Sequence, residues 1–198
     1  MARAYGWNAQ LLIAEESEYG VLPDSGYRQI PFISSSLDSE QSLVSSNVLG
    51  LGRDPTQPFQ DVINVDGDMA IPIDFRNIGV WLRAIFGAPT TTNEETVYTH
   101  TFESGKTSIP SYSLEIGLPE VPQYIRFLGV RANSIAFNFA RSGEAQATIN
   151  LMAQGESGSE TSIESSAEVY PYTRVSQFQG YIKSGGELLA NITSASAT

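Results

Sequence analysis

The stretch INVDGDMAIPIDF, residues 63–75, alternates with a period of two along its whole length. The odd positions are mostly apolar and comprise Ile63, Val65, Gly67, Met69, Ile71, Ile73 and Phe75. The even positions are mostly small or polar and comprise Asn64, Asp66, Asp68, Ala70, Pro72 and Asp74. Because successive side chains of a strand point to opposite faces, this pattern predicts one long strand with a buried and a polar face. Gly67 indicates a bend in it, and Pro72 an edge or a bulge.

The same alternation recurs along the chain. It is clear at residues 112–116, 135–139 and 147–153, and weaker at 10–15, 97–102 and 124–130. Several short strands separated by Gly, Pro and Ser are typical of a sandwich or a barrel.

One segment changes to the helical period. Apolar side chains fall at i, i+3, i+4 and i+7 at Ile78, Trp81, Leu82 and Ile85. Asn77 or Asp74 can cap the start, and Gly87 can supply the left-handed residue at the end. The predicted fold is therefore mainly β: an antiparallel β-sandwich or barrel with one flanking α-helix over 77–87 and a long protruding loop.

Two irregular stretches divide the chain. Residues 45–61 are rich in Gly and Pro and too long for a simple connection, which predicts a protruding loop. Residues 155–168, GESGSETSIESSAE, carry acids but no base and predict a solvated loop or linker. In the tail, two strand-like segments flank Gly185 and Gly186, as in a hairpin. We expect a β domain over 1–154, an acidic loop over 155–168 and a hairpin extension over 169–198.

Composition excludes several classes of protein. The net charge is −11, and the chain has only two lysines. Tight binding of nucleic acid needs Lys and Arg side chains that neutralise phosphates. The absence of cysteine excludes disulfides and thiolate metal sites. The opening residues lack the apolar stretch of a signal peptide, and Arg83 interrupts the most apolar run, so we expect no membrane segment.

Motifs that could carry chemistry are incomplete. Ser104-Gly105-Lys106-Thr107 is similar to the end of a phosphate-binding loop, but His100 stands where that motif needs a glycine. Gly50-Leu51-Gly52 resembles a dinucleotide-binding turn, but Pro55 stands in the place of its third glycine. His100 is the only histidine, so a catalytic triad or zinc site lacks partners. The sequence predicts no catalytic, cofactor-binding or metal-binding residues.

Asp66, Asp68 and Asp74 share the polar face of the long strand. Paired carboxylates can serve a glycosidase or bind calcium. Strand geometry alone, however, places alternate residues about 7 Å apart on one face. A solvated, charge-lined face is the simpler interpretation.

A series of short segments suggests a family. In order they are AEESEYGV at 14–21, PFISSSL at 31–37, LGRDP at 51–55, GD at 67–68, FG at 86–87, YTHTF at 98–102, PSYSLE at 110–115 and YIRFLGVRANS at 124–134. Over about residues 10–154, the series resembles the tail tube proteins of long-tailed phages and gene transfer agents.

The resemblance implies subunits joined in six-membered rings that stack into a tube for DNA. It implies a loop that reaches between stacked rings, formed here by Leu51, Gly52, Arg53, Asp54 and Pro55. It also implies tape-measure and tail terminator proteins as partners, synthesis in the bacterial host cytoplasm and a place in the virion tail. Neither a cofactor nor an enzymatic activity is expected.

Physical chemistry agrees with such an assembly. Exposed sheet edges pair with other chains, and a ring of neighbours would cap them. A tube that passes DNA needs a wall that does not hold it, and an acidic wall avoids phosphate neutralisation. We therefore expect Asp66, Asp68 and Asp74 to line the lumen.

Two other functions fit the composition. One is a β-sandwich binding module, either adhesin-like or a capsid decoration domain, which would stay monomeric in electron micrographs instead of forming tubes. The other is a β-sandwich hydrolase, which would need two carboxylates on different strands with at least one raised pKa. No such pair is identifiable in the sequence.

Overall fold

The computed structural model describes all residues except 1–2, 47, 49–52, 55, 141, 178–180, 182 and 189–193. The described residues are mainly β-strand with one α-helix, α1, at Ile78–Phe86, which confirms the predicted fold class. The strands are β1 Gln10–Glu15, β2 Arg28–Gln29, β3 Ser34–Ser35, β4 Asp38–Val44, β5 Phe59–Pro72, β6 Thr90–Glu94, β7 Val97–Thr101, β8 Tyr112–Leu118, β9 Gln123–Ala140, β10 Gln146–Ala153, β11 Gly155–Ser159, β12 Glu168–Val169, β13 Lys183–Ser184, β14 Glu187–Leu188 and β15 Ser194–Ala197.

One large sheet organises the molecule, in the order β12-β2-β1-β8-β9-β10-β5-β3. The central strand β9 is 18 residues long and belongs to two halves of this sheet. Its first part pairs with β8 and β11, and its second part pairs with β10 and β15. Gly129, with φ of 60°, lies between the two parts. The path ends at β12 and β3, so the described sheet bends into two halves and does not close into a barrel.

The hydrophobic core lies between these two halves. Leu11, Leu114 and Phe127 come from one half, and Met69 and Ile149 from the other; all are almost fully buried in one cluster. Full burial of each such side chain contributes about 1.5–3 kcal/mol, so the faces of the two halves hold each other in place.

The long strand β5 confirms the alternation only over its second part. Val65, Met69 and Ile71 are buried, as the odd positions predict, but Ile63 and Phe75 are exposed. Phe75 follows the end of the strand, and Ile63 belongs to a projecting part that we call the arm, namely β4 with residues 59–64 of β5. The period of an isolated strand does not reveal where the sheet leaves the core.

Gly67 is needed for a close crossing of the chain. A Cβ atom at Gly67 would lie 2.4 Å from the Ser36 carbonyl oxygen. The Ser36 N–H donates to the Asp68 carbonyl at 2.9 Å, and the Asp68 N–H donates to Ser36 Oγ at 2.9 Å. These bonds pin the turn between β3 and β4 onto β5.

The helix α1 covers the core with one face. Trp81 and Ala84 are buried, and the helix packs against β9. Gly87 follows with φ of 80°, and its N–H donates to the Arg83 carbonyl at 2.8 Å, as the sequence predicts for the helix end. The Asn77 side chain accepts no backbone N–H at the start of the helix.

The acidic segment 155–168 differs from the predicted solvated loop. Its first residues form β11, which pairs with β9. We call residues 160–168 the strap. Ile163 of the strap packs beside Leu12 and Tyr27, so the segment covers the outer surface of one sheet half. A composition of Ser, Gly and Glu hides this role, because the anchoring partners belong to distant strands.

The C-terminal residues extend along the rest of the fold. In the part that is described, β13 and β14 form a hairpin whose turn, Gly185 and Gly186, has positive φ at both residues. Beyond it, β15 does not extend this hairpin but pairs antiparallel with β9.

Candidate functional site

The polar face of β5 continues across its neighbours. We define the polar face as the outward side of β3, residues 38–40 of β4, residues 64–72 of β5, β10 and residues 131–140 of β9. Its register is set by cross-strand pairs between these strands. The side chains are mostly small or polar, namely Ser34, Asp38, Glu40, Asn64, Asp66, Asp68, Ala70, Arg131, Asn133, Ser134, Ala136, Asn138, Gln146, Thr148, Asn150 and Met152. Such a surface is well hydrated and offers little apolar area to a ligand.

Two of the predicted lumen residues lie on this face. Asp66 and Asp68 are both exposed. Asp68 Oδ1 accepts a 2.8 Å hydrogen bond from Asn150 Nδ2, and Asn150 Oδ1 accepts a 3.0 Å bond from Asn133 Nδ2. These two hydrogen bonds connect side chains of β5, β10 and β9, and they hold the carboxylate of Asp68 in the plane of the face.

Charge on the polar face is unevenly distributed. Asp38 pairs with Asp66, Asp66 with Met152, and Met152 with Arg131, which places these residues in one row across the strands. The β4 end of the row is therefore acidic and the β9 end is basic. The guanidinium of Arg131 lies 4.9 Å from the centre of the Tyr19 ring, a favourable cation–π contact.

The third predicted lumen residue, Asp74, is fully buried. Its Oδ1 accepts the Arg76 N–H at 2.9 Å and the Thr173 N–H at 3.0 Å, and Asn77 Nδ2 donates to Oδ2. Its carbonyl accepts the Ile78 N–H at 3.0 Å. The prediction that Asp74 lines a solvent-filled channel is therefore wrong, because β5 ends at Pro72 and the chain turns inward before Asp74.

The predicted inter-ring loop is only partly described. Arg53 and Asp54 form an exposed bend. Leu51, Gly52 and Pro55 lie outside the described residues. Contact between rings therefore stays a prediction for this segment.

The arm beside that loop exposes apolar side chains. Leu43, Phe59, Val62 and Ile63 are each more than half exposed. A register shift in the pairing with β4 breaks the alternation between these positions, so Phe59 and Ile63 point to opposite faces of the arm. A strand pair that is exposed on both faces is marginally stable alone, so another surface is expected to cover it.

A buried carboxylate holds the bend of β9. Glu16 Oε1 accepts hydrogen bonds from Ser113 Oγ at 2.7 Å and from the Gly129 N–H at 2.8 Å. Glu16 Oε2 accepts the Gly20 N–H at 2.9 Å. In the sequence, Glu16 belongs to the segment AEESEYGV, and no role is predicted for it. The available signal was an acidic residue directly after an apolar strand.

A second buried carboxylate anchors the strap. Glu115 forms a 2.7 Å ion pair with Arg126 Nε and accepts hydrogen bonds from Ser162 Oγ at 2.7 Å and the Ile163 N–H at 2.9 Å. Arg126 Nη2 donates in turn to the Thr161 carbonyl at 2.6 Å. Nothing in the sequence indicates this anchor, because Glu115 stands at an odd position, on the polar side of a strand whose even positions are apolar.

Burial also perturbs tyrosines near these anchors. Desolvation raises the pKa of Tyr27, which lies under the strap, to about 12. Desolvation likewise raises the pKa of Tyr112, which lies beside Arg83. Both hydroxyls therefore keep their protons to higher pH than an exposed tyrosine does.

Two surface depressions share one ion pair. Depressions of about 340 and 690 Å³ flank the ion pair between Arg83 Nε and Glu15 Oε2, which are 2.8 Å apart. The described residues contain no cluster of three His, Asp or Glu side chains that could hold a metal ion. No described helix is long and apolar enough to cross a bilayer.

Comparison with known proteins places this geometry in context. A family model described as phage tail tube protein matches residues 6–198. No curated protein matches the chain. A chain in the cryo-EM structure of the anti-feeding prophage baseplate is 9% identical, covering 80% of this chain and 97% of that one, with a TM-score of 0.56.

Two further solved structures are similar. A chain in the virion of a native gene transfer agent particle is 12% identical, covering 79% of this chain and 99% of that one, with a TM-score of 0.46. The SPP1 tail tube is 8% identical, covering 79% of this chain and 78% of that one, with a TM-score of 0.47. At these identities the baseplate chain shows a shared fold, whereas the family model matches nearly the whole sequence. The chain belongs to the family of phage tail tube proteins, structural components of the virion tail.

Proposed function

We propose that copies of this protein join in six-membered rings, that the rings stack into a tube, and that DNA passes through the tube along the polar face. The observation that carries the proposal is a sheet with one face in the core and the other almost free of large apolar side chains. A protein that used this face for binding would be expected to expose aromatic or apolar anchors on it.

Ring closure follows from the edges of the sheet. β4, β5, β10 and the second part of β9 form four antiparallel strands with an edge at each end. When each edge pairs with the opposite edge of a neighbour, the sheets merge into one barrel and no edge stays exposed. The prophage baseplate that shares the fold is described as 6-fold symmetrised, which supports six copies for the ring.

The charge of the face suits the passage of DNA. Asp38, Glu40, Asp66 and Asp68 outnumber Arg131 on it, so few phosphates could be neutralised there. Screening restricts this repulsion to about 8–10 Å at cellular salt, so it acts where DNA approaches the wall.

The arm and the loop at its tip form the contacts between stacked rings. The exposed apolar residues of the arm, Leu43, Phe59, Val62 and Ile63, offer a neighbouring ring a surface to cover. Loop residues Leu51, Gly52, Arg53, Asp54 and Pro55 would reach between rings. Tape-measure and tail terminator proteins are the further proposed partners, inside the tube and at its end, and no enzymatic activity is assigned.

Electron microscopy of the purified protein tests the proposal. Concentrated protein should form hollow tubes whose end views show six-fold symmetry, with the polar face inward in a cryo-EM reconstruction. Persistent monomers at high protein concentration, or tubes with the polar face outward, would contradict it.

A further inference from the structure

The outer edge of β9 is only partly occupied. One edge of β9 pairs with β10 over residues 131–138, and the opposite edge pairs with β15 over residues 137–140. Within the described part of the chain, residues 131–136 have no strand partner on that second edge. An unpaired stretch of strand beside a short paired one presents free N–H and C=O groups to another chain.

The direction of β15 matches that of a strand from a neighbouring copy. β4 is antiparallel to β5, β5 to β10, and β10 to β9, so β4 and β9 run in opposite directions. Copies related by rotation around a ring axis keep their strand directions, so β4 of one copy would meet β9 of the next in antiparallel orientation. β15 is also antiparallel to β9 and therefore runs as that neighbouring strand would.

The charges at the two edges are complementary. β4 carries Asp38 and Glu40 and is paired with β5, with no second strand partner among the described residues. Arg131 lies at the unpaired part of β9. Joining the edges brings the acidic end of one copy's row toward the basic end of the next, which favours this pairing over contact between two like edges.

We propose that β15 is a placeholder strand: it covers the β9 edge of the free subunit, and the β3–β4 edge of a second copy displaces it when the ring forms. The inference rests on the proposed ring assembly. Residues 131–136 of β9 provide the first contact for the incoming strand, and the four-residue β15, Ser194–Ala197, is then released. Such a strand protects the monomer from uncontrolled pairing at the cost of slower assembly.

A redox-controlled lock tests the placeholder. Ser196 and Asn138 lie directly opposite each other across β15 and β9, both exposed, and the protein has no cysteine of its own. Directly opposite strand residues have Cα atoms about 4.5–5.5 Å apart, within disulfide range. We expect the double variant Ser196→Cys/Asn138→Cys to stay monomeric when oxidised and to form tubes when reduced.

A matched pair controls for the disulfide itself. Thr92 and Thr99 are exposed and directly opposite each other in the β6–β7 hairpin, so Thr92→Cys/Thr99→Cys should form tubes in both redox states. Equal tube formation by the oxidised and reduced β15 lock would overturn the placeholder while leaving the ring proposal intact. Failure of the wild-type protein to form rings would instead count against the proposed function.

Removal of β15 gives an independent measurement. Deleting residues 194–198 should lower the subunit concentration at which tubes appear by roughly tenfold, since one backbone hydrogen bond that need not be broken is worth up to about that factor. A truncated protein that needs the same or a higher concentration than the wild type contradicts the proposal.

Discussion

The Gly129 N–H donates a 2.8 Å hydrogen bond to the buried Oε1 of Glu16, across 113 residues of sequence. Gly129 has φ of 60°, and it stands where β9 passes from one sheet half to the other. The carboxylate also holds Ser113 and Gly20, so one side chain fixes the bend of β9 to β8 and to the turn after β1. This contact therefore holds β9 at the point where it passes from one sheet half to the other.

Replacing Glu16 by Gln should destabilise the subunit by about 1–3 kcal/mol. A glutamine places an NH₂ donor against at least one of the three donors that the carboxylate satisfies. The free energy of unfolding, measured with urea, checks this expectation. Glu18→Gln is the matched control, because Glu18 is exposed two residues away and should unfold within about 0.5 kcal/mol of the wild type. Equal losses in the two variants would show that the contact is not structural.

Replacing Gly129 by Ala should cost more than backbone strain alone. A Cβ at Gly129 would lie 2.9 Å from Gln154 Cβ and 3.0 Å from the Tyr19 ring, in addition to its positive φ. Gly26 has φ of 89° with open space around it, so Gly26→Ala reports the strain by itself, about 1–2 kcal/mol. We expect Gly129→Ala to exceed that control by about 1–3 kcal/mol from overpacking in urea unfolding. A smaller loss at Gly129 than at Gly26 would mean that the bend of β9 adapts.

The sequence predicted local secondary structure well, but it did not predict which residues are buried by segments far away in the chain. The alternation at Val65, Met69 and Ile71 identified the buried face of β5, because the period of a strand depends only on neighbouring residues. Glu115 belongs to an equally regular alternation, yet it is buried because the strap folds over it from about 47 residues away. Asp74 fits the polar side of the sequence alternation, but β5 ends at Pro72, before Asp74 is reached.

The candidate site was predictable to the same extent. Asp66 and Asp68 lie on an exposed polar face, which the alternation of one strand was sufficient to indicate. The extension of that face over β10 and β9 depends on strand order, which a single sequence does not specify. The pairing of β15 with β9 was missed for the same reason, since the sequence predicts a hairpin for the tail.

Alkaline pH should destabilise the subunit partly through Tyr27. Burial raises its pKa to about 12 from 10.0, so the unfolded chain loses the hydroxyl proton at lower pH than the folded protein does. The unfolded state then binds fewer protons in that window, and stability falls as the pH rises from about 10 to 12. Between about pH 9 and 11, the free energy of unfolding should fall by about 1–2 kcal/mol less in Tyr27→Phe than in the wild type, as measured by urea unfolding. Parallel pH curves for variant and wild type would contradict a buried hydroxyl.

The loop at the tip of the arm should be needed for stacking but not for folding. Replacing residues 51–58 by a Gly-Ser segment of equal length keeps β4 and β5 connected and leaves both ring-forming edges intact. We expect six-membered rings without long tubes in negative-stain images, with urea unfolding close to that of the wild type. Because the replacement has the same length as the natural loop, a stacking defect would report the loss of these side chains and not a shorter loop. Normal tubes from this variant would remove the loop from the stacking contact.

Reversing the charge of the polar face should make the tube hold DNA. Asp66→Lys/Asp68→Lys places two cations on the proposed lumen wall of every subunit, and tubes should still form because both side chains are exposed. Phage carrying the variant should deliver DNA less well, with a defect that weakens as salt rises, because phosphate binding releases counterions. Asp24→Lys/Glu160→Lys changes the net charge equally at exposed residues outside the polar face and should leave delivery unchanged. If both variants deliver DNA like the wild type, the polar face lies on the outside of the tube.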